Sequence, residues 1–186
     1  DDAYPATLSL LGLSLRDQGR VDEGIKYMRT SVKAMRQQQG AGHPLYASMV
    51  HNLAVLQRDA GELSQAEALS REATDISRRT MGEDHPEYGK HIGVLGSILM
   101  LQGRYAEAEP LLREALEIDL DTIGRRHVVY TIHLEYLGDL MRRTGELGLG
   151  DRVRWLGFRD DAPDLMAASD LIVLPTREEG FPNTLL

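Results

Sequence analysis

A step of 42 residues governs most of this chain. Gly19, Gly61, Gly103 and Gly145 fall at that interval, as do Tyr4, Tyr46, Tyr88 and Tyr130. Leu11, Leu53, Leu95 and Leu137 keep the same step, and so do Gly40, Gly82 and Gly124. His43-Pro44 returns as His85-Pro86 and then as His127-Val128. Independent ladders sharing one period mark a repeat architecture, in which each unit is one supersecondary element leaning on its neighbours.

Each unit divides into two helices. In the second unit the first helix is predicted from about Leu45 to Ala60, with Met49, Leu53 and Leu56 at helical spacing. Gly61 closes it, being a residue that accepts positive φ. The second helix is predicted from about Leu63 to Gly82, with Ala66, Leu69, Ala73 and Ile76 on one face. Pro44 and Pro86 suit the first turn of a helix, where an N–H has no partner to lose. Small residues recur where the two helices cross: Gly12, Ala54, Gly96 and Gly138 in the first, Gly24, Ala66 and Ala108 in the second. Neither helix can bury its apolar stripe alone, so stacked hairpins must share a continuous core.

Composition narrows the function classes. The 186 residues are 42% hydrophobic and 27% charged, with a net charge of -8. That balance argues against general nucleic-acid binding, which needs a basic face to displace counterions. Cysteine is absent, which rules out disulfides and thiolate metal sites and fits a cytoplasmic protein. No segment approaches the roughly 18 consecutive apolar residues of a membrane span, and no signal peptide is present. The chain opens on Asp1 rather than Met, which leaves upstream targeting open.

The stretch "HPLYASMVHNLAVLQRDAGELSQAEALSREATDI" resembles a tetratricopeptide repeat of the longer, kinesin-light-chain type, with His-Pro, Asn-Leu-Ala, Gly and Ala-Glu in order. The resemblance covers roughly residues 3–145. The first and third units depart from it, with Leu10-Leu11-Gly12 and Val94-Leu95-Gly96 where the second has Asn52-Leu53-Ala54. It implies a mostly α, right-handed solenoid of three full hairpins plus the first helix of a fourth. It also implies a concave face, lined by first helices, that binds peptides or partner proteins.

In such a solenoid three rows of first-helix residues point into the groove: Ser9, His51, Gly93 and Glu135; Leu13, Val55, Ser97 and Asp139; Arg16, Arg58, Met100 and Arg142. Three arginines in the last row suggest an acidic peptide ligand, since the guanidinium fork matches a carboxylate. The same cations also complement the C-terminal dipole of their helices, which needs no ligand. Asn52 matches the asparagine with which such repeats grip a ligand backbone, but it has no counterpart in neighbouring units. His43, His85 and His127 fall one per repeat, too far apart to share a metal ion, and read as loop residues leading into a helix. No metal site is expected.

After Gly145 the pattern changes. Gly148 and Gly150 fall inside the expected eighth helix, where they cost about 2 kcal/mol against alanine. "RVRWLG" alternates like a strand, "DDAPDLMAAS" suits a short helix, and "DLIVLPT" reads as a buried parallel strand. A small partial α/β piece of βαβ, Rossmann-like form is therefore expected over residues 146–186.

"DRVRWLGF" and "ASDLIVLPTREEGFPNTLL" resemble the donor-binding domain of family 4 type GT-B glycosyltransferases. By position, Glu179 matches the first acid of that family's paired-glutamate motif. Gly180, Phe181, Pro182, Asn183 and Thr184 match the loop whose amides approach the donor sugar and phosphates. The second acid falls one position beyond Leu186, and the strands that carry the family's basic diphosphate pair are replaced by repeats. The resemblance thus implies a UDP- or GDP-sugar donor only for a complete transferase, and the fragment is expected to be inactive, with no cofactor.

Three readings stay open. The chain is a protein-binding scaffold carrying a transferase remnant, or part of a nucleotide-sugar-dependent transferase whose repeats recruit the acceptor. The third is a fortuitous fusion of unrelated segments near Gly145, where the seam cuts through a repeat instead of falling at a domain edge.

Overall fold

The structure is a computed structural model that describes residues 4–124 and 126–146. Seven helices follow one another: α1 (Tyr4–Asp17), α2 (Val21–Gln39), α3 (Pro44–Asp59), α4 (Leu63–Met81), α5 (Pro86–Leu101), α6 (Tyr105–Thr122) and α7 (Val128–Thr144). The described residues contain no strand. The α/β piece expected over 146–186 lies, past residue 146, outside the described residues, as do Glu179 and the loop that follows it.

Helix starts are built the same way in three units. The Nδ1 atoms of His43, His85 and His127 accept hydrogen bonds from the backbone N–H of Leu45, Glu87 and Val129 at 3.1, 3.1 and 3.2 Å. Each histidine therefore satisfies one of the orphan donors at a helix N-terminus, a role more often filled by Ser, Asp or Asn. Pro44 and Pro86 occupy the first turn, as predicted. At the other end Gly61 adopts φ 79°, and Glu62 N–H returns to Gln57 O at 2.8 Å. That left-handed residue turns the chain sharply enough for α4 to fold back on α3.

Helices α1 and α2, α3 and α4, and α5 and α6 form hairpins, and α2, α4 and α6 each pack onto the first helix of the next unit. First helices also touch in series, α1 with α3, α3 with α5 and α5 with α7, whereas second helices share no comparable contact. The stack therefore curves with its first helices on the inside. Leu95, Leu99, Leu112, Leu116, Leu134 and Leu137 form a cluster across α5, α6 and α7. Ile25, Met28, Leu53 and Leu56 form another between α2 and α3. Both clusters span successive units, while Tyr88, Ile92 and Ala115 form a smaller one within the α5–α6 hairpin.

Small residues set the closeness of a hairpin. A Cβ at Gly24 would lie 2.6 Å from the carbonyl oxygen of Gly12, and one at Gly96 would lie 2.8 Å from Leu112. Polar side chains tie the units at their edges. The Tyr46 hydroxyl donates to Glu72 at 2.8 Å, and the Tyr88 hydroxyl donates to Glu114 at 3.1 Å, 26 residues away in both cases. Glu67 accepts from Arg71, Gln102 and Arg104, the last two on the next unit. These bonds hold its carboxyl at about 2, against the upward push of desolvation.

Candidate interaction groove

The inner face is narrower than the repeat pattern alone suggests. His51, expected to face a ligand, is buried, and its ring lies on that of His91 with centroids 4.6 Å apart and planes tilted by 31°. Ser9, Ser97 and Met100 are buried as well. The His133 ring covers Gly93 so closely that a Cβ there would fall 2.1 Å from Nε2. The reason is curvature: first helices on the inside of the bend come near enough for these rows to touch each other.

A second set of buried groups runs behind that face. His133 Nδ1 lies 2.6 Å from Asp119 Oδ2, both side chains being buried. His91 Nδ1 lies 3.1 Å from Ser77 Oγ, whose hydroxyl donates to Thr74 O. Met35 and Met49 share one core cluster. These three pairs are a single joint repeated at the 42-residue step, with 14 residues between partners, filled first by sulfur and carbon, then by a neutral hydrogen bond, then by an acid and an imidazole. Burial, reinforced by His91 nearby, holds His51 well below the ordinary histidine range. Burial likewise lowers His91 to about 4, opposed by Glu87, whose carboxylate is 3.8 Å from Nε2.

The arginine row is occupied from within. Arg16 shares its fork with Asp17, with the shortest bond at 2.8 Å. Arg142 reaches Asp139 and Glu146, each at 3.2 Å. Arg58 gives Nε and Nη2 to Asp59, while Nη1 donates to Ser97 Oγ at 3.1 Å and to the Tyr136 hydroxyl at 2.8 Å. Its guanidinium also sits 5.7 Å from the Tyr136 ring centroid. Arg58 thereby joins α3, α5 and α7 across the inner face. Asn52 donates to Ser9 at 3.3 Å and joins α3 to α1. Arg58 and Asn52, expected to face a ligand, thus also tie neighbouring first helices together.

What remains open is modest and mixed. Leu10, Ile132 and Glu135 are exposed, and Leu13, Val55, Tyr136 and Asp139 are half-buried. The capping histidines are each committed to a separate helix, and the described residues hold no cluster of three metal-ligating side chains. No described helix is long and apolar enough to cross a membrane.

Helical hairpins stacked at a 42-residue period around an inner face of first helices define the class of repeat solenoids that serve as protein-interaction scaffolds. The chain belongs to the tetratricopeptide repeat family, whose profile it matches over residues 4–79 and 50–119, and its residues 92–186 belong to the glycosyl transferases group 1 family. The second match begins well upstream of Gly145 and overlaps α5, α6 and α7, which are stacked as repeat helices. No curated protein matches the chain.

Among solved structures, the chain is similar to BtubC (BKLC) from P. vanneervenii, with a TM-score of 0.70 at 20% identity over 97% of this chain and 70% of that one. It is also similar to a putative kinesin light chain of Podosopora anserina with nearly identical TPR-like repeats, with a TM-score of 0.69 at 19% identity over 88% of this chain and 81% of that one. A variant form of that protein gives 0.63 at 20% identity, over 88% and 72% respectively. At such identities the likeness is one of fold.

Proposed function

We propose that the chain is a scaffold whose inner face receives a segment of a partner protein. The observation that carries this reading is the bracing of that face by Arg58, which bonds α5 and α7 from α3 and so fixes the groove before any ligand arrives. A groove held in one shape loses little freedom on binding, which favours affinity. With the arginine forks already shared with carboxylates, contact falls to Leu10, Val55, Ile132 and Glu135. A partner segment with apolar side chains therefore fits better than the acidic peptide that the arginine row suggests. A peptide array tests this: Val55→Glu and Glu135→Lys are expected to abolish or redirect binding, and an unchanged set of bound peptides overturns the proposal.

The match of residues 92–186 to glycosyl transferases group 1 favours a second reading, in which the repeats present an acceptor to a nucleotide-sugar-dependent transferase. We take the fragment to be inactive, because the match begins at residue 92 and α5, α6 and α7 fill its upstream part as repeat helices. Calorimetry with UDP- and GDP-sugars separates the readings. Saturable heat that is lost in Glu179→Gln supports the transferase.

A further inference from the structure

At three core positions the second unit is polar where its neighbours are apolar. In the third unit Leu99, Leu112 and Leu116 lie buried in the cluster that joins α5, α6 and α7. The first unit has Leu15, Met28 and Val32 at these places, and the second has Gln57, Ser70 and Thr74. The three polar residues are buried all the same, at 2%, 0% and 4% exposure. Gln57 Oε1, Ser70 Oγ and Thr74 Oγ1 have no hydrogen-bond partner among the described residues. The hydroxyls of Thr30, Thr80 and Thr122 each donate to the carbonyl four residues back, and those of Ser70 and Thr74 do not. Gln57 Nε2 donates to Glu62 at 3.0 Å and to Gln65 at 2.8 Å. A carboxylate only accepts, so the amide nitrogen belongs on that side and the oxygen stays buried behind it.

We propose that the core between α3, α4 and α5 binds ordered water on Ser70 Oγ, Thr74 Oγ1 and Gln57 Oε1. Buried polar atoms left without a bond are costly, and water suits this set. Each hydroxyl can donate or accept, and the amide oxygen accepts. Ser70 and Thr74 sit one turn apart on the same face of α4, close enough for one molecule to bridge. The volumes leave room for it. Ser70 and Thr74 are smaller than Leu112 and Leu116 of the third unit. Where the side chain is long, a glycine opposes it: a Cβ at Gly96 would lie 2.8 Å from Leu112, and one at Gly12 would lie 3.3 Å from Met28. At the same step Ser70 is opposed by Ala54, whose methyl makes up only part of the difference. Across the joint α5 has Leu95 and Ile98 where α7 has Leu137 and Leu140, so α5 supplies no extra bulk.

Oxygen-17 magnetic relaxation dispersion on the full chain tests this, since it registers buried water itself and not exchanging hydroxyl protons. Ser70→Ala combined with Thr74→Val removes both hydroxyls with little change of size. It is expected to lower the dispersion amplitude by the equivalent of about one water molecule per chain or more. An undiminished amplitude in that variant overturns the proposal, and is the result if the hydroxyls turn to backbone carbonyls instead. Ala54→Gly combined with Ser70→Leu and Thr74→Leu copies the third unit, fills the site, and is expected to show the same loss. The parent's amplitude in this filled variant overturns the proposal as well. Circular dichroism checks that each chain is compared in its folded form, and the first variant decides alone where the second does not fold.

Discussion

The imidazole of His51 rests on that of His91 in a buried contact between α3 and α5, ring centroid to ring centroid at 4.6 Å. Two like-charged rings at that distance in a buried joint are strongly disfavoured, so both stay neutral in the folded chain.

Acid is therefore expected to loosen the solenoid earlier than carboxylate protonation does. In the folded state His51 lies well below the ordinary histidine value and His91 at about 4, while both regain the ordinary value of about 6.5 on unfolding. Between those limits the unfolded chain binds more protons. Stability is thus full above about pH 6.5 and falls as pH drops toward 4, by up to about 1.4 kcal/mol per pH unit for each histidine. Thermal melts from pH 7.5 to 4.5 should show that slope, and His91→Phe should flatten it. An unchanged slope in that variant would exclude the buried His91 as its source.

The pair formed by Asp119 and His133 offers a graded test, since Ser77 and His91 fill the same joint one period earlier. Asp119→Ala leaves a buried imidazole without its partner and is expected to cost about 3 kcal/mol. Asp119→Ser copies the earlier joint and is expected to cost clearly less. Urea unfolding of the two variants should rank them in that order. Equal losses would show that the joint depends on volume alone.

Gly24→Ala should destabilise, although alanine is the better helix former by about 1 kcal/mol. The new methyl would meet the Gly12 carbonyl at 2.6 Å, a backbone atom that can retreat only by moving α1. A net loss of about 1–3 kcal/mol is expected from such overpacking. Gly42→Ala, whose Cβ meets nothing within 4 Å, serves as the neutral control. Chemical denaturation compares the two directly.

Much of this was open to a reader of the sequence, and the failures have a common origin. The bounds of α3 and α4, the Gly61 turn and the crossings at Gly12, Gly24 and Gly96 follow from local propensity and from the period, and agree with the structure within a residue or so. Met49 was readable as a core position, so its translations, His91 and His133, could have been recognised as buried. The signal was the period itself, applied to a polar residue. Arg58 could not be read this way, because its bond to Tyr136 spans 78 residues and depends on how sharply the stack bends. Curvature is a sum of many small inter-helix angles, and no single position encodes it. The same bend buried His51 and Ser97, which on a straighter stack would have lined an open groove.

Arg58 supplies the prediction that bears on shape. Tyr136→Phe removes one hydrogen bond and is expected to cost about 1 kcal/mol, while Arg58→Ala removes the brace and costs about 2 kcal/mol. Hydrogen exchange should then rise in α7 first, since α7 is the far end of that bond. Small-angle scattering should report a larger radius of gyration for Arg58→Ala. A scattering curve identical to that of the parent chain would show that packing alone sets the curvature.

The joint filled by Met35 with Met49, Ser77 with His91, and Asp119 with His133 gives each hinge of the array its own solvent key. Cooling weakens the apolar hinge, acid strains the middle one, and only the last holds a buried carboxylate. One geometry copied three times with different atoms thus gives each step of the array its own sensitivity to temperature and pH.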